Sequence, residues 1–421
     1  MYSLSFYMFR KATPHLTSVL FRTLRFKIIR LSAASFANGT TKAEFTCKKL
    51  FTPGPLSVSS ATKNAMLKDI GSRDPEFMDV IKEVRNSVIS LAEANPERYT
   101  CVLMQGSGTF ATESVLQTSI PRNDSHVVVL SNGDYAKRME GLCKKFNANC
   151  TVYTFPSTDK LPLDGVEKAL QEQGTTATNV AITHCETSLG VINDAKSIGE
   201  LVKRYAPSAV YIVDAMSSFG GVPLDIAGSN IDFLVTSPNK CIEGIPGFGL
   251  VIADKDKLLN CEGNSRSVSL DLTAQYKGLE ATGQFRFTPP THVMLAFRQA
   301  LIELKQEGGI KARAARYRAN RDIVCTGLKR MGFETLLKGD HPDSYIVTTF
   351  RAPTHPNFVF EEFYNQLSRR GFCIYHGQMS VGMETFRIGH IGQIFPKDCN
   401  MLLRVVEEVC HEMGIPLPIK Y

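Results

Sequence analysis

The 421-residue sequence contains no tryptophan, no Cys-x-x-Cys pair and no apolar stretch that approaches the length of a membrane span. A membrane-spanning helix needs about 20 consecutive apolar residues, so we expect no segment embedded in a membrane. The eleven cysteines are scattered and odd in number, which favours free thiols in a reducing compartment over a disulfide scaffold. Their spacing matches no zinc motif, and we expect no metal site.

Acidic residues are absent from residues 1–43, which carry seven basic residues and account for the whole net charge of +7. The segment is also rich in serine and threonine and alternates apolar with basic residues, a composition typical of a mitochondrial transit peptide. We therefore predict that residues 1–45 are a disordered transit peptide of a protein of the mitochondrial matrix. The alternative is a basic tail on a cytoplasmic protein. Because the remaining chain is neutral, its charge indicates no nucleic-acid partner.

Two β-branched runs lead to polar residues with useful chemistry. The first, Val210-Tyr-Ile-Val-Asp214, ends on an aspartate, and the second leads through Thr236-Ser-Pro-Asn to Lys240 and a glycine-rich stretch. Singly, such residues are more often a helix N-cap and a solvated strand end. Together, at neighbouring strand ends, they meet the needs of pyridoxal phosphate chemistry: an amine that binds the cofactor aldehyde and a carboxylate that keeps the ring nitrogen protonated.

A phosphate cradle is the third element that such a site needs. The apolar run Tyr99–Gln105 is followed by Gly106-Ser-Gly-Thr109 and a helix-like segment. Glycines let the backbone approach an anion, and the first N–H groups of a helix bind it where the helix dipole is favourable. The stretch matches neither the P-loop nor the dinucleotide-binding motif. The alternative is an ordinary strand-to-helix turn with Thr109 as its N-cap.

Strand-like runs alternate with longer segments of helical period through the first two thirds of the chain. The runs cover residues 101–105, 126–131, 151–155, 180–184, 209–214, 233–237 and 249–253. This rhythm predicts an α/β fold with a mostly parallel sheet flanked by helices, in which ligands bind at the carboxyl ends of the strands. Beyond residue 290, helical stretches followed by short strands predict a second unit. We predict a large domain with an N-terminal arm at 46–300 and a smaller C-terminal α/β domain at 301–421.

Four more stretches complete a recognisable pattern: Leu50-Phe-Thr-Pro-Gly-Pro-Leu56, His184-Cys-Glu-Thr-Ser-Leu-Gly190, Arg286-Phe-Thr-Pro-Pro-Thr-His292 and Phe386-Arg-Ile-Gly-His-Ile-Gly392. With the aspartate, lysine and cradle motifs, they resemble the class V aminotransferases of fold type I, and among these the 2-aminoethylphosphonate–pyruvate transaminase family. The resemblance covers residues 47–421. It implies transfer of the amino group of 2-aminoethylphosphonate to pyruvate, giving phosphonoacetaldehyde and L-alanine in phosphonate catabolism.

The resemblance also implies how pyridoxal 5′-phosphate is held. Lys240 would bind the cofactor and carry the reacting proton, and Asp214 would pair with the ring nitrogen. Tyr135 would stack on the ring and Thr187 would approach the ring hydroxyl. The remaining matched residues around the cofactor are Ser107, Gly108, Thr109, Asn239 and Thr288.

Two of the matched residues imply contacts with a second subunit or with the substrates. Thr288 resembles the threonine that reaches the phosphate from a neighbouring subunit, which implies a homodimer with the site at its interface. Arg387 would bind the phosphonate of the donor and the carboxylate of pyruvate, because a guanidinium can hold either anion with paired hydrogen bonds.

Three other interpretations remain open at this point. An alanine–glyoxylate or serine–pyruvate aminotransferase would share the cofactor residues and differ in how the substrate tail is bound. A pyridoxal-dependent lyase or desulfurase would need another acid or a mobile cysteine near the ring, and Cys185 and Cys241 lie beside site motifs. A non-catalytic binding protein would have no reason to keep Lys240, Asp214 and the cradle together.

Overall fold

The fold is organised by strands whose residues are almost all apolar. Every residue of the His126–Ser131 and Phe248–Asp254 strands is buried, as expected for strands covered by helices on both faces. The computed structural model describes residues 47–337, 345–377 and 383–421. Cys47–Tyr421 forms one compact unit. The segment for which a transit peptide is predicted lies outside the described residues.

The strands and helices are numbered in chain order. The strands are β1 (Lys49–Leu50), β2 (Tyr99–Gln105), β3 (His126–Ser131), β4 (Asn149–Thr154), β5 (Asn179–Thr183), β6 (Cys185–Glu186), β7 (Val191–Ile192), β8 (Val210–Asp214), β9 (Phe233–Thr236), β10 (Phe248–Asp254), β11 (Val347–Arg351), β12 (Phe372–Cys373), β13 (Tyr375–His376) and β14 (Thr385–Gly389). The helices are α1 (Ser60–Asn64), α2 (Pro75–Leu91), α3 (Gly108–Ser119), α4 (Asp134–Lys145), α5 (Leu163–Gln173), α6 (Ala195–Tyr205), α7 (Lys255–Asn260), α8 (Leu272–Thr282), α9 (Thr291–Glu307), α10 (Gly309–Arg330), α11 (Phe360–Arg369) and α12 (Pro396–Glu412).

Seven strands form the central sheet, in the order β2-β10-β9-β8-β5-β3-β4. β10 is antiparallel to both of its neighbours, and the other adjacent pairs are parallel. The seven predicted runs correspond to these seven strands, so the predicted α/β fold with a mostly parallel sheet is confirmed. The reversed direction of β10 was not predicted, because hydrophobic periodicity carries no information about strand direction.

A second, antiparallel sheet has the order β11-β14-β13 and lies on a cluster of phenylalanines. Phe350 and Phe386 stack with ring centroids 5.4 Å apart, and Phe333 meets Phe386 edge-on at 5.7 Å, both favourable ring arrangements. Phe51 of the N-terminal arm belongs to the same cluster, and β1 pairs in parallel with β12. The predicted domain boundary at residue 300 falls within α9 and stays a prediction.

A buried ionic cluster joins the loop that follows Lys240 to the end of β14. Glu243 accepts hydrogen bonds from Arg316 at 2.7 Å and from the Tyr317 hydroxyl at 2.6 Å. Arg316 also donates to the Gly392 carbonyl at 2.6 Å. Because losing one partner would leave an uncompensated buried charge, this cluster fixes the loop relative to the C-terminal sheet.

Among the helices of the described segments, none combines the length and the apolar character that crossing a bilayer requires.

Candidate active site

Residues that end or follow three central strands meet along the edge of the sheet that is formed by the carboxyl ends of its parallel strands. Asp214 is the last residue of β8, Lys240 follows the end of β9, and Gly106 follows β2 directly. β10 runs in the opposite direction and begins at this edge, where a Cβ on Gly249 would lie 3.2 Å from the Ser107 carbonyl oxygen. The structure therefore brings together the predicted aspartate, lysine and phosphate cradle.

The Lys240 amine occupies a poorly solvated position. Its Nζ donates a hydrogen bond to the Pro53 carbonyl at 3.0 Å. Loss of solvation lowers the pKa of this amine to about 8; the charge of Arg387 acts in the same direction, whereas Cys241 and Asp214 raise the pKa. A neutral fraction near physiological pH is what an amine needs to attack a carbonyl or to accept a proton.

The loop of residues 52–55 forms a wall against the lysine side chain. A Cβ on Gly54 would lie 2.4 Å from Lys240 Nζ and 2.5 Å from Lys240 Cδ, and Gly54 has a φ of +127°, which favours glycine. The sequence identifies this stretch only as a family motif, because the lysine and Pro53 of this loop are 187 positions apart. In the sequence, the Gly54-Pro55 pair was the available signal for an unusual backbone turn at this position.

Asp214 is buried, and one of its carboxylate oxygens accepts a hydrogen bond from the Met216 N–H at 2.9 Å. Burial raises the pKa of this carboxyl to about 6, while the Met216 N–H and the charges of Arg138 and Lys240 lower it. Asp214 is therefore mostly ionised at neutral pH. A cation beside this carboxylate would be strongly favoured, because the carboxylate has lost much of its solvation.

The N-terminus of α3 forms the predicted cradle. Ser107 is the N-cap of this helix, and its side chain makes no capping hydrogen bond. A Cβ on Gly108 would lie 2.3 Å from Met216 Sδ and 3.3 Å from Ser237 Cβ, so the backbone here is closely covered. The Ser237 hydroxyl is buried without a hydrogen-bond partner among the described residues, which is unusual for a buried polar group. An anion at this helix N-terminus fits such an unpaired donor. Ser237 was not predicted, although it lies within the lysine motif.

Tyr135, Thr109 and Arg138 surround a cavity of about 40 Å³ that Asp214 and Met216 also line. The Arg138 guanidinium carbon lies 5.0 Å from the centroid of the Tyr135 ring, and its Nη1 donates to Thr109 Oγ1 at 3.2 Å. The predicted ring-stacking tyrosine and phosphate-binding threonine therefore lie beside the predicted ring-nitrogen partner. Arg138 was not predicted; its spacing of three residues from Tyr135 on one helix face was the available signal.

Arg387 lies in β14, buried and directly opposite Tyr375 of β13. Its Nη1 donates to the Thr187 carbonyl at 3.0 Å and its Nε to the His376 carbonyl at 3.2 Å. Burial lowers the pKa of the guanidinium, and the nearby Tyr135 hydroxyl raises it. An arginine remains charged in such surroundings. The two carbonyl contacts fix the position of the guanidinium and use two of its five N–H donors.

The remaining predicted residues lie around this centre with different exposure. Thr187 is buried, Asn239 is half-buried next to Lys240, and Thr288 is exposed. The Thr288 carbonyl accepts a hydrogen bond from the Gln105 side chain at 3.4 Å, at the strand end that leads into the cradle. The contacts predicted for these residues with a cofactor or a neighbouring subunit stay predictions.

The chemical groups at this edge match pyridoxal phosphate rather than a metal ion. Throughout the described ranges, no group of three or more histidine, cysteine, aspartate or glutamate side chains could hold a metal. A poorly solvated amine, a buried carboxylate and a helix N-terminus beside an unpaired hydroxyl meet the needs of the cofactor's aldehyde, ring nitrogen and phosphate. Burial raises the pKa of the Cys185 and Cys241 thiols, that of Cys241 to about 12, so neither is an activated nucleophile.

Sequence comparison identifies the family that shares this arrangement. The profile of the family described as aminotransferase class-V matches residues 58–392. The chain belongs to this family. Proteins similar to this chain include the 2-aminoethylphosphonate–pyruvate transaminases of Syntrophobacter fumaroxidans, 45% identical over 87% of this chain and 97% of that protein, and of Vibrio vulnificus, 43% identical over 86% and 97%. The resemblance inferred from the motifs is thus confirmed, and the chain is an aminotransferase.

A longer relative and two solved structures extend the comparison. A bifunctional phosphonoacetaldehyde hydrolase/aminoethylphosphonate transaminase of Clostridioides difficile is 43% identical over 88% of this chain, which spans 58% of that protein's length. Pyridoxamine–pyruvate aminotransferase from Mesorhizobium loti superposes with a TM-score of 0.80 at 22% identity, over 89% of this chain and 95% of that one. Ureidoglycine–glyoxylate aminotransferase from Bacillus subtilis gives 0.78 at 20% identity, over 88% and 94%. These two structures show that the aminotransferase fold is shared.

The contact between Gly54 and the lysine predicts a selective defect in this aminotransferase. In Gly54→Ala the added Cβ displaces the flexible end of the Lys240 side chain, so we expect the chain to fold while its uptake of pyridoxal phosphate weakens at least roughly tenfold, or about 1.4 kcal/mol. Absorbance titration of the apoprotein with pyridoxal phosphate measures this change.

Gly263→Ala is the matched control for Gly54→Ala. Gly263 also has a positive φ, of +84°, but a Cβ there would meet nothing within 4 Å. Both variants place alanine at a positive φ that residues with a side chain rarely adopt, at a cost of about 1–3 kcal/mol, and only the Gly54 variant moves the lysine. Equal pyridoxal phosphate affinity in the two variants would contradict the expectation.

Proposed function

We propose that this aminotransferase uses pyridoxal 5′-phosphate to transfer the amino group of 2-aminoethylphosphonate to pyruvate, forming phosphonoacetaldehyde and L-alanine. The observation that carries the proposal is the convergence of Lys240, Asp214 and the α3 N-terminus at one edge of the central sheet, with the buried Arg387 of β14 near enough for its charge to act on Lys240. Relatives that share 43–45% of their residues with this chain bear the corresponding name.

Lys240 is the residue proposed to bind the cofactor and move the reacting proton. When bound, pyridoxal phosphate supplies an electron-withdrawing ring that stabilises negative charge on the amine-bearing carbon. The Nζ of Lys240, whose pKa is lowered to about 8 by loss of solvation, would in its neutral form accept the proton from that carbon and donate it to the cofactor carbon that carries the aldehyde. The carboxylate of Asp214 would hold the ring nitrogen of the bound cofactor in its protonated form. The amine-bearing carbon of the donor carries no carboxylate, so removal of a proton is the productive bond cleavage there.

Arg387 is the residue proposed to bind the anionic end of both substrates. Its contacts with the carbonyls of Thr187 and His376 orient the guanidinium before a substrate arrives. A guanidinium forms paired hydrogen bonds with either a phosphonate or a carboxylate. One site can therefore serve the amino donor first and pyruvate second.

The experiment that tests the proposal follows the two half-reactions separately. Purified protein loaded with pyridoxal phosphate is mixed with 2-aminoethylphosphonate, alanine, serine or phosphoserine, one at a time, and the visible band of the bound cofactor is recorded. Rapid loss of the band with 2-aminoethylphosphonate, reversed by pyruvate as alanine appears, would support the proposal. Loss only with alanine or serine would assign the protein to the alanine–glyoxylate or serine–pyruvate aminotransferases.

Removing the arginine side chain should affect substrate binding more than cofactor binding. In Arg387→Ala we expect KM for 2-aminoethylphosphonate and for pyruvate to rise roughly 10- to 100-fold, since hydrogen bonds to charged groups are worth about 1.5–3 kcal/mol. The absorbance band of the bound cofactor should remain. Steady-state kinetics with each substrate varied in turn measure the change, and unchanged KM values would place anion binding elsewhere.

We infer a homodimer with the site near the subunit interface from exposed apolar residues around the cradle. Phe110, beside Thr109, is 50% exposed, and Phe287, beside Thr288, is 45% exposed. Large exposed apolar side chains near a site suit an interface with another chain. Light scattering should give the mass of a dimer, and Phe110→Asp with Phe287→Asp should lower it. A monomeric mass for the unmodified protein would contradict this inference.

The basic N-terminal segment motivates a proposal about localisation. We propose that residues 1–45 direct import into mitochondria, because residues 1–43 combine basic, hydroxylated and apolar residues without acidic ones. The relatives named above are bacterial proteins whose similarity covers 86–88% of this chain. A fluorescent reporter fused to residues 1–45 should enter mitochondria, whereas the same fusion with the seven basic residues replaced by serine should not. A diffuse signal from the first fusion would contradict the proposal.

A further inference from the structure

Glu186 is a fully buried carboxylate that the proposed reaction does not use. It lies at the end of β6, in a tight hairpin with β7. Its Oε2 accepts a hydrogen bond from the Tyr135 N–H at 3.1 Å, and its Oε1 accepts from the Ser188 N–H at 3.2 Å and the Ser188 hydroxyl at 2.6 Å. A carboxylate is kept in such a buried position only when donors compensate for its lost solvation.

The hydrogen bond from the Tyr135 N–H to Glu186 gives α4 an N-terminal cap that its own N-cap residue does not provide. The N-cap of this helix is Gly133, which has no side chain, and the first N–H groups of a helix need acceptors from elsewhere. A Cβ on Gly133 would lie 2.2 Å from Glu186 Cγ and 2.3 Å from Glu186 Cδ, so the glutamate side chain fills the space that the glycine leaves. The negative charge also suits the helix dipole.

The same hairpin holds the proposed substrate-binding arginine. The Thr187 carbonyl accepts a hydrogen bond from Arg387 Nη1 at 3.0 Å, and the Leu189 carbonyl accepts one from Thr349 Oγ1 at 3.2 Å. The Tyr135 hydroxyl lies near Arg387. A single turn of chain therefore contacts both the helix that carries the tyrosine and the strand that carries the arginine.

We propose that Glu186 is a positioning residue: by capping α4, its carboxylate holds Tyr135 over the cofactor ring and at a fixed distance from Arg387. The inference rests on the proposed function, because it assumes that Tyr135 covers bound pyridoxal phosphate. It assigns to Glu186 no direct part in the chemistry.

A double-mutant cycle in the full-length apoprotein tests this role. Glu186→Gln keeps the side-chain shape but replaces one oxygen with an amide nitrogen, so it cannot accept hydrogen bonds from both Tyr135 and Ser188. We expect this substitution to raise the Kd for pyridoxal phosphate roughly tenfold and to shift the visible band of the bound cofactor. In a Tyr135→Ala background, the same substitution should change Kd by less than about twofold, because the residue through which it acts is missing.

The controls separate positioning from general stabilisation. Ser188→Ala removes a contact from the other carboxylate oxygen and leaves the Tyr135 contact, so it should change Kd by less than about threefold. A similar rise of Kd for Glu186→Gln in both backgrounds would overturn the proposal, and so would an unchanged Kd in the background that retains Tyr135.

A check on folding and the choice of the cofactor Kd as the readout ensure that the experiment decides the role of Glu186. The unfolding midpoint of each apoprotein shows whether it is folded; if Glu186→Gln is not, Glu186→Asp enters the same cycle, because it keeps the charge but withdraws it from Tyr135. The Kd of the cofactor does not depend on which amino donor the enzyme uses. Failure of 2-aminoethylphosphonate as a donor would therefore count against the proposed function and leave the role of Glu186 to be decided by the cycle.

Discussion

The loss of solvation around the Lys240 amine is the constraint on which the rest of the site depends. An exposed lysine would be almost fully protonated at physiological pH, and a protonated amine can neither attack a carbonyl nor accept a proton. Burial lowers the pKa of this amine to about 8, and the positive charge of Arg387 acts in the same direction, while the Pro53 carbonyl accepts a hydrogen bond that fixes the position of Nζ. Asp214 opposes this fall, so the distance between aspartate and lysine must be controlled. Their placement at the ends of β8 and β9, adjacent strands of a rigid sheet, provides that control.

Holding the amine in place requires parts of the chain that are far apart in sequence. The arm before α1 supplies Gly54 and Pro53, the loop after the lysine is fixed by Glu243 and Arg316, and Arg316 also binds the Gly392 carbonyl beyond β14. The arm is itself tied to the C-terminal region, since β1 pairs with β12. Lys240 and the strand that carries Arg387 are therefore held by the same contacts, and a change that disturbs either region should affect both.

The central sheet, and the meeting of Asp214 and Lys240 at the ends of its strands, could be predicted from the sequence because both depend on local patterns. Buried strands read as unbroken apolar runs, and polar residues at their ends were visible as the exceptions, which revealed Asp214 and Lys240. The other contributors could not be found in this way. Gly54, Ser237 and Glu186 act through contacts with residues that loops and strand order bring close, and neither loop conformation nor the antiparallel direction of β10 is encoded in a periodic pattern. The family motifs contained all three residues, but a motif does not say which neighbour a residue contacts.

Under the proposed function, Arg387 must hold two anions that lie at different distances from the reacting carbon. In 2-aminoethylphosphonate a methylene group separates the amine-bearing carbon from phosphorus, whereas in alanine the carboxylate is bonded to that carbon directly. Arg387 is not free to follow this difference, because its guanidinium is bound to the carbonyls of Thr187 and His376 and its backbone is paired on both sides of β14. The substrate must therefore adjust to the protein. Discrimination among amino donors then follows from the fixed spacing between Lys240 and Arg387, since a donor whose anion cannot reach the arginine while its carbon faces the amine loses the orientation on which the reaction depends.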